Sequence, residues 1–227
     1  MSINKLTLKK LVEFRRLSER RKNTFTNNLK KTKEPNIGEA RDYWNRSLSG
    51  ISTAFKNNDN SIIKERLDGL LDDYTSTSVN KTKIMYKRNI DILEKYIDFD
   101  FSNWWSIPIK QLLSKPDHMS IIDMNGIPLQ IKPHHIFTYE NNGSECVGGI
   151  WFITWLEGFK KGDMGIYSEA LFRYLSKHYS KDYTIDPSGC ITIDVSNMQV
   201  VGYEEILNGK IPSLIDTAIN DIKKYLN

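Results

Sequence analysis

The sequence predicts an α+β chain, with a helical amino-terminal region over residues 1–100 and a mixed α/β domain over 101–227. Three observations carry that expectation. Apolar side chains recur at helical spacing through the first hundred residues, with no strand signal among them. Asn125-Gly126 sits between two short alternating runs, the dipeptide best suited to the positive φ angles of a two-residue hairpin. The stretch Gly149-Ile150-Trp151-Phe152-Ile153-Thr154-Trp155 is apolar at nearly every position, as expected of a central strand covered on both faces.

The elements follow in chain order. Leu8, Leu11, Val12, Phe14 and Leu17 predict a first helix that frays into the Asn/Thr/Lys-rich stretch 23–33, and Pro35 and Gly38 punctuate the chain after it. Trp44, Leu48, Ile51 and Phe55 lie on one face of the next helix, which ends before Asn57-Asn58-Asp59-Asn60. Ile63, Leu67, Leu70, Leu71 and Tyr74 form a third stripe, entered through Asn60 or Ser61, and Tyr86, Ile90, Leu93 and Ile97 a fourth. Such helices pair into a hairpin or small bundle, a surface also suited to self-assembly into a homo-oligomer.

Asp98 to Trp105 breaks the helical period and packs four aromatics into seven residues, the composition of a seam between helical region and sheet. Ile107 to Leu113 is expected to be a short helix ending near Lys115-Pro116. Ser120–Asp123 and Ile127–Ile131 form the Asn-Gly hairpin, with Pro128 suggesting an edge strand. Ile136–Tyr139 and Gly149–Trp155 follow across the Asn141-Asn142-Gly143 turn. A helix from Asp163 carries Tyr167, Ala170, Leu171, Tyr174, Leu175 and His178 on one stripe. Cys190–Val195 is a further buried strand, able to pair with Val200-Val201, and a last helix runs from about Pro212.

Composition narrows the function classes. With 39% hydrophobic and 26% charged residues the chain can bury one sizeable core, or one core and a helical appendage. Cys146 and Cys190 lack paired metal-ligand spacing and read as buried free thiols. The chain opens with Lys5, Lys9 and Lys10 in place of an apolar signal core, and no run reaches bilayer length, so a soluble cytoplasmic protein without a membrane partner is expected. No P-loop, dinucleotide-binding, nucleophile-elbow or His-Glu-x-x-His pattern occurs.

The net charge of +4 is unevenly distributed: residues 1–33 hold 11 Lys+Arg against Glu13 and Glu19, or +9, and the remainder carries −5. A cationic segment of this kind is a footprint for nucleic-acid phosphate or an acidic protein partner, with Arg15, Arg16, Arg20, Arg21 and Lys22 as the binding residues and only Phe14 and Phe25 to stack on bases. The plainer reading of the same residues is a solvated helix face, or an internal dock onto the acidic body. The loop Glu157 to Asp163 is hinged by Gly158 and Gly162 and can reach a phosphate backbone, although a strand-to-helix connection explains it equally. His134 and His135 are adjacent and point to opposite faces of a strand, and His118 and His178 lack ligand spacing, so no metal site is expected of the histidines.

Strands, a helix, a strand and a closing helix are the cadence in which the chain from about Lys115 to its end resembles the PD-(D/E)xK restriction-endonuclease-like superfamily, in its branch of RecB-type exonucleases. The resemblance implies a mixed sheet flanked by helices. In an active member it also implies magnesium held by carboxylates, and a lysine that positions water and screens the developing charge. Two alignments are open. In the favoured one, Pro133-His134 stands at the Pro-Asp position, Gly149-Ile150-Trp151 at acid-x-Lys, and Tyr167 opens the tyrosine-bearing helix. It implies a nuclease fold without nuclease chemistry: a non-catalytic accessory factor that needs no cofactor. In the other, Asp117 or Asp123 supplies the first acid and Gln130-Ile131-Lys132 mimics acid-x-Lys, with Asp123, Gln130 and Lys132 projecting from one face of the hairpin. It implies a magnesium-dependent nuclease.

Overall fold

The computed structural model describes residues 3–30, 43–113 and 120–226, and within them the fold is α+β with a helical amino-terminal region. A two-residue strand β1 (Leu6–Thr7) opens it and runs into α1 (Leu8–Arg16), where the Thr7 hydroxyl accepts the Lys10 backbone N–H at 3.3 Å. The sequence predicts no strand here. Two residues are too few to show alternation, and β1 exists only through its pairing with a distant partner. The chain then turns extended at Leu17 and Ser18 and enters a separate helix, α2 (Glu19–Leu29), in place of the expected fraying. Thr26 and Leu29 are buried along it, and Phe25 packs on Phe14 at 5.4 Å between ring centroids.

Three helices follow, α3 (Asn45–Asn57), α4 (Ser61–Ser76) and α5 (Asn80–Leu93). Asn58, in the left-handed conformation at φ 48°, closes α3, as its short polar side chain allows. The expected helix at 107–113 is instead irregular chain ending in β2 (Gln111–Leu112), which pairs antiparallel with β5 (His135–Asn141). Its backbone groups find partners on the sheet: the Lys110 N–H donates to Thr138 O at 2.8 Å and the Leu113 N–H to Ile136 O at 2.9 Å. Pro116, Asp117 and His118 lie outside the described residues.

Hairpin β3 (Ile121–Met124) and β4 (Ile127–Gln130) forms as the Asn-Gly signal predicts, with Asn125 and Gly126 at φ 55° and 85° and Asp123 opposite Pro128. β4 is not an edge. It lies between β3 and β1, in a three-stranded sheet where Leu6 and Thr7 run parallel to Leu129 and Gln130. β1 reaches only those two positions, so Pro128 loses no ladder bond to it.

The larger sheet has the order β2-β5-β6-β7-β8, with β6 (Ser144–Ile153), β7 (Thr184–Asp194) and β8 (Gln199–Gly202). β6 is central and pairs antiparallel with β5 and parallel with β7, the crossover between them being α6 (Lys161–Tyr179). Val147, Trp151 and Ile153 face one core, and Cys146, Ile150 and Phe152 the other, the period-2 alternation of a strand covered on both sides. The first core is closed by α1, α6 and α8 (Ile215–Leu226); the second by α3, α4 and α5, with Trp104 wedged between Phe55 and Phe152 at 6.5 and 5.5 Å. Both cores therefore draw on residues before and after position 100. The closing helix begins three residues after Pro212 rather than at it, preceded by the short α7 (Tyr203–Leu207).

β7 carries a bulge opposite Val147 and Gly149, where two steps along β6 answer five along β7. Asp186 organises the extra chain, accepting from the Ser188 N–H at 2.9 Å, the Ser188 hydroxyl at 2.7 Å and the Asn141 amide at 2.9 Å. The Gly189 position in this bulge favours glycine, because a Cβ there would run into the hydroxyl of Tyr139 and crowd Gly148 Cα at 3.2 Å. Cys146 and Cys190 are free and buried, as the sequence predicts. Among the described residues no helix is long and apolar enough to cross a membrane.

Candidate functional site: a cation-lined cleft

The chain passes from the small sheet to the large one through Ile131-Lys132-Pro133. The Ile131 N–H is tied to Ser120 O at 2.9 Å and the His134 N–H to Ile150 O at 3.0 Å. Ile131 and Pro133 are buried in this extended passage, so the alternate residues Gln130, Lys132 and His134 turn the other way. All three line a cleft of about 440 Å³, closed by Trp151 to Thr154 of β6 and its exit, by Ser49, Ser52 and Thr53 of α3, by Lys9 of α1 and by Tyr167 of α6.

The cleft is a polar, cationic place on an apolar floor. Lys9 and Lys132 are exposed at its rim. The Nδ1 of His134 accepts the Phe152 N–H at 3.1 Å, so a neutral ring carries its proton on Nε2. His135 turns away from it: its Nε2 lies 2.8 Å from the Ser52 hydroxyl and 3.0 Å from Ser52 O, which ties β5 to α3. Trp151 packs edge-on against Tyr167 at 5.2 Å. Among the described residues that line the cleft there is no carboxylate.

The two sequence alignments meet here, in part. His134 and Trp151 of the first, and Gln130 and Lys132 of the second, line the same cleft. Asp123 does not join them. Asp123 is exposed on the hairpin, where its Oδ1 accepts the Gly126 N–H at 2.9 Å, and it is not part of the lining. Asp117 lies outside the described residues. Gly149, at the acid position of the first alignment, has no space for a side chain: a Cβ would lie 2.9 Å from His135 O and 3.1 Å from the Leu171 side chain. Magnesium seeks hard oxygen ligands, usually one or two carboxylates. Two lysines, an imidazole, two amides and hydroxyls do not fit it, and no three His, Cys, Asp or Glu side chains gather among the described residues.

Part of the basic segment is docked internally. Arg15 and Arg16 both clamp the carboxylate of Asp163, on the first turn of α6, and Arg16 reaches it with Nη2 at 2.8 Å and Nε at 3.3 Å. Arg16 also donates to Gly158 O at 3.2 Å. Lys22 pairs with Asp221 of α8 at 2.7 Å. Arg20 and Arg21 are exposed. Phe14 is fully buried against Phe25 and Tyr225, so it is not a base-stacking platform. Near the cleft, Trp155 sits beneath two cations, with the Arg16 guanidinium 4.7 Å and the Lys9 ammonium 5.9 Å from its ring centroid. Its signal in the sequence is slight: it is the last residue of the apolar run, two places beyond the end of β6.

No family model, no curated protein and no solved structure matches the chain.

Proposed function

We propose that the chain is a non-catalytic protein of PD-(D/E)xK nuclease-like architecture that binds nucleic acid along the cleft and the adjoining basic ridge, in the cytoplasm. The observation that carries this reading is the pairing of an anion-friendly cleft with a closed acid position. Lys9, Lys132 and His134 converge where phosphate would be held, while Gly149 leaves no room for the carboxylate that cleavage requires. The succession β2, β5, β6, α6, β7 and a closing helix supports the nuclease-like architecture. Trp155 and its two cations, with exposed Arg20 and Arg21, extend the cationic surface beyond the cleft.

The test is fluorescence anisotropy with labelled single-stranded and duplex DNA and RNA over a range of salt. Affinity is expected to fall steeply with salt. The double variant Lys9→Gln/Lys132→Gln is expected to flatten the log–log slope by roughly 1.4–1.8, at 0.7–0.9 per phosphate contact. Arg20→Gln/Arg21→Gln tests the segment without releasing Asp163 or Asp221. Salt-insensitive binding, or none, overturns the reading in favour of an acidic protein partner. Incubation of plasmid and single-stranded DNA with magnesium or manganese is expected to leave the substrates intact. Metal-dependent cleavage lost on Asp123→Ala would establish the nuclease instead.

A further inference from the structure

The loop from β6 to α6 carries a feature that phosphate binding does not use. Leu156 is 62% exposed, the most exposed of the large apolar side chains among the described residues. It does not sit on a floppy tip. The Gly158 N–H closes a turn onto Trp155 O at 2.9 Å, Arg16 holds Gly158 O, and Gly158 itself adopts φ 70° with Asn197 close beneath it. Trp155, the neighbour of Leu156, is pinned under Lys9 and Arg16, and Phe159 is buried against Tyr167 at 5.9 Å.

Beside this tip lies an open recess of about 510 Å³, lined by Arg15, Arg16, Lys160, Glu157 and Asp163 among others. Asp163 takes up the charge of Arg15 and Arg16, so the exposed cations next to the tip are Lys160 and Lys161, with Glu157 as the one carboxylate between Thr154 and Gly162. An apolar side chain on a hydrogen-bonded turn, with exposed lysines close by in the chain, is an arrangement by which a wedge enters between stacked bases while the cations hold the flanking phosphates. Rigidity matters because ordering the loop on binding would otherwise cost affinity.

We infer that Leu156 is an intercalating wedge, which unstacks one base step of a duplex laid across the cleft and the recess. This rests on the nucleic-acid reading above. The probe is a duplex carrying 2-aminopurine at successive positions, titrated with the full chain in low salt, with anisotropy recorded on the same samples. Wild-type protein is expected to raise the 2-aminopurine fluorescence at one step. Leu156→Ala is expected to lose that rise while keeping the salt slope of binding, and Leu156→Ile to retain it. As an exposed position, 156 can be changed without loss of the fold. Binding without a fluorescence rise, or a rise that persists in Leu156→Ala, overturns the wedge and leaves the nucleic-acid reading standing. Absence of binding to any duplex overturns both. Leu156-dependent binding to phosphatidylserine vesicles, with no fluorescence rise on DNA, overturns the wedge by assigning the side chain to lipid.

Discussion

Arg16 and Asp163, 147 positions apart in the chain, form a two-point ion pair that pins α1 to the first turn of α6. The Asp163 side chain is 6% exposed and that of Arg16 27%, so the pair is shielded from water but not sealed. Removing the carboxylate leaves Arg15 and Arg16 without it. Asp163→Asn is expected to cost about 2 kcal/mol, below the 3–5 typical of fully buried pairs because the arginines keep some access to solvent. The shift in urea midpoint measures it. The same variant releases two cations beside the recess, so on the proposed function its affinity for duplex DNA is expected to rise.

Gly189→Ala is expected to destabilise by about 1–3 kcal/mol, the usual cost of overpacking, because its methyl group meets the Tyr139 hydroxyl. Combining it with Tyr139→Phe removes the obstructing oxygen and is expected to recover part of the loss. A double-mutant cycle in thermal midpoints reads the coupling. Strict additivity would show that the bulge relaxes by moving backbone instead.

Arg173 grips Asp216 with two hydrogen bonds of 2.9 and 2.6 Å and also reaches the buried Glu169 at 2.6 Å. Those bonds from Arg173 hold the Asp216 carboxyl below its usual range. The sign follows: an aspartate lowered on folding adds stability that is present above the unfolded value near about 4, and that stability is lost as pH falls through the lower folded value. The contribution is small, since the Asp216 side chain is 52% exposed. Asp216→Asn is expected to lower the urea midpoint at neutral pH and to shrink the difference between neutral and acidic conditions, as equilibrium unfolding at each pH would show.

Helical region and sheet share both cores, so they are expected to unfold together. Far-ultraviolet dichroism, dominated by helices, and tryptophan emission, which reports Trp44, Trp104, Trp105, Trp151 and Trp155, are expected to give coincident urea transitions. Phe152→Ala removes a ring packed on Phe55 and Trp104 at once, and is expected to lower both transitions equally at a cost of about 3–5 kcal/mol. Separated transitions would show that residues before position 100 fold by themselves.

Local chemistry was legible in the sequence and distant pairing was not. Asn125-Gly126 dictates its hairpin because only small or polar residues accept positive φ at both positions, and β6 shows itself through an apolar run that both faces of the sheet bury. β1 left no trace, since two residues have no period, and Ile107 to Leu113 resembled a helix because its sheet partner lies some 25 positions on, at Phe137 and Thr138. Phe14 reads as available for stacking until α2 and α8 fold over it. At the site, Gln130, Lys132 and His134 belong to rival alignments in one dimension. Their convergence depends on the passage between two sheets, which no motif encodes.

Gly149 sets how closely β5 and α6 can approach the central strand. Its obstacle is main chain, the carbonyl of His135, and main chain cannot rotate aside as a rotamer can. A single codon change to aspartate or glutamate would therefore push β5 and α6 apart before it offered an oxygen to a cation. Any side chain at position 149 would require the strand pair to be respaced first.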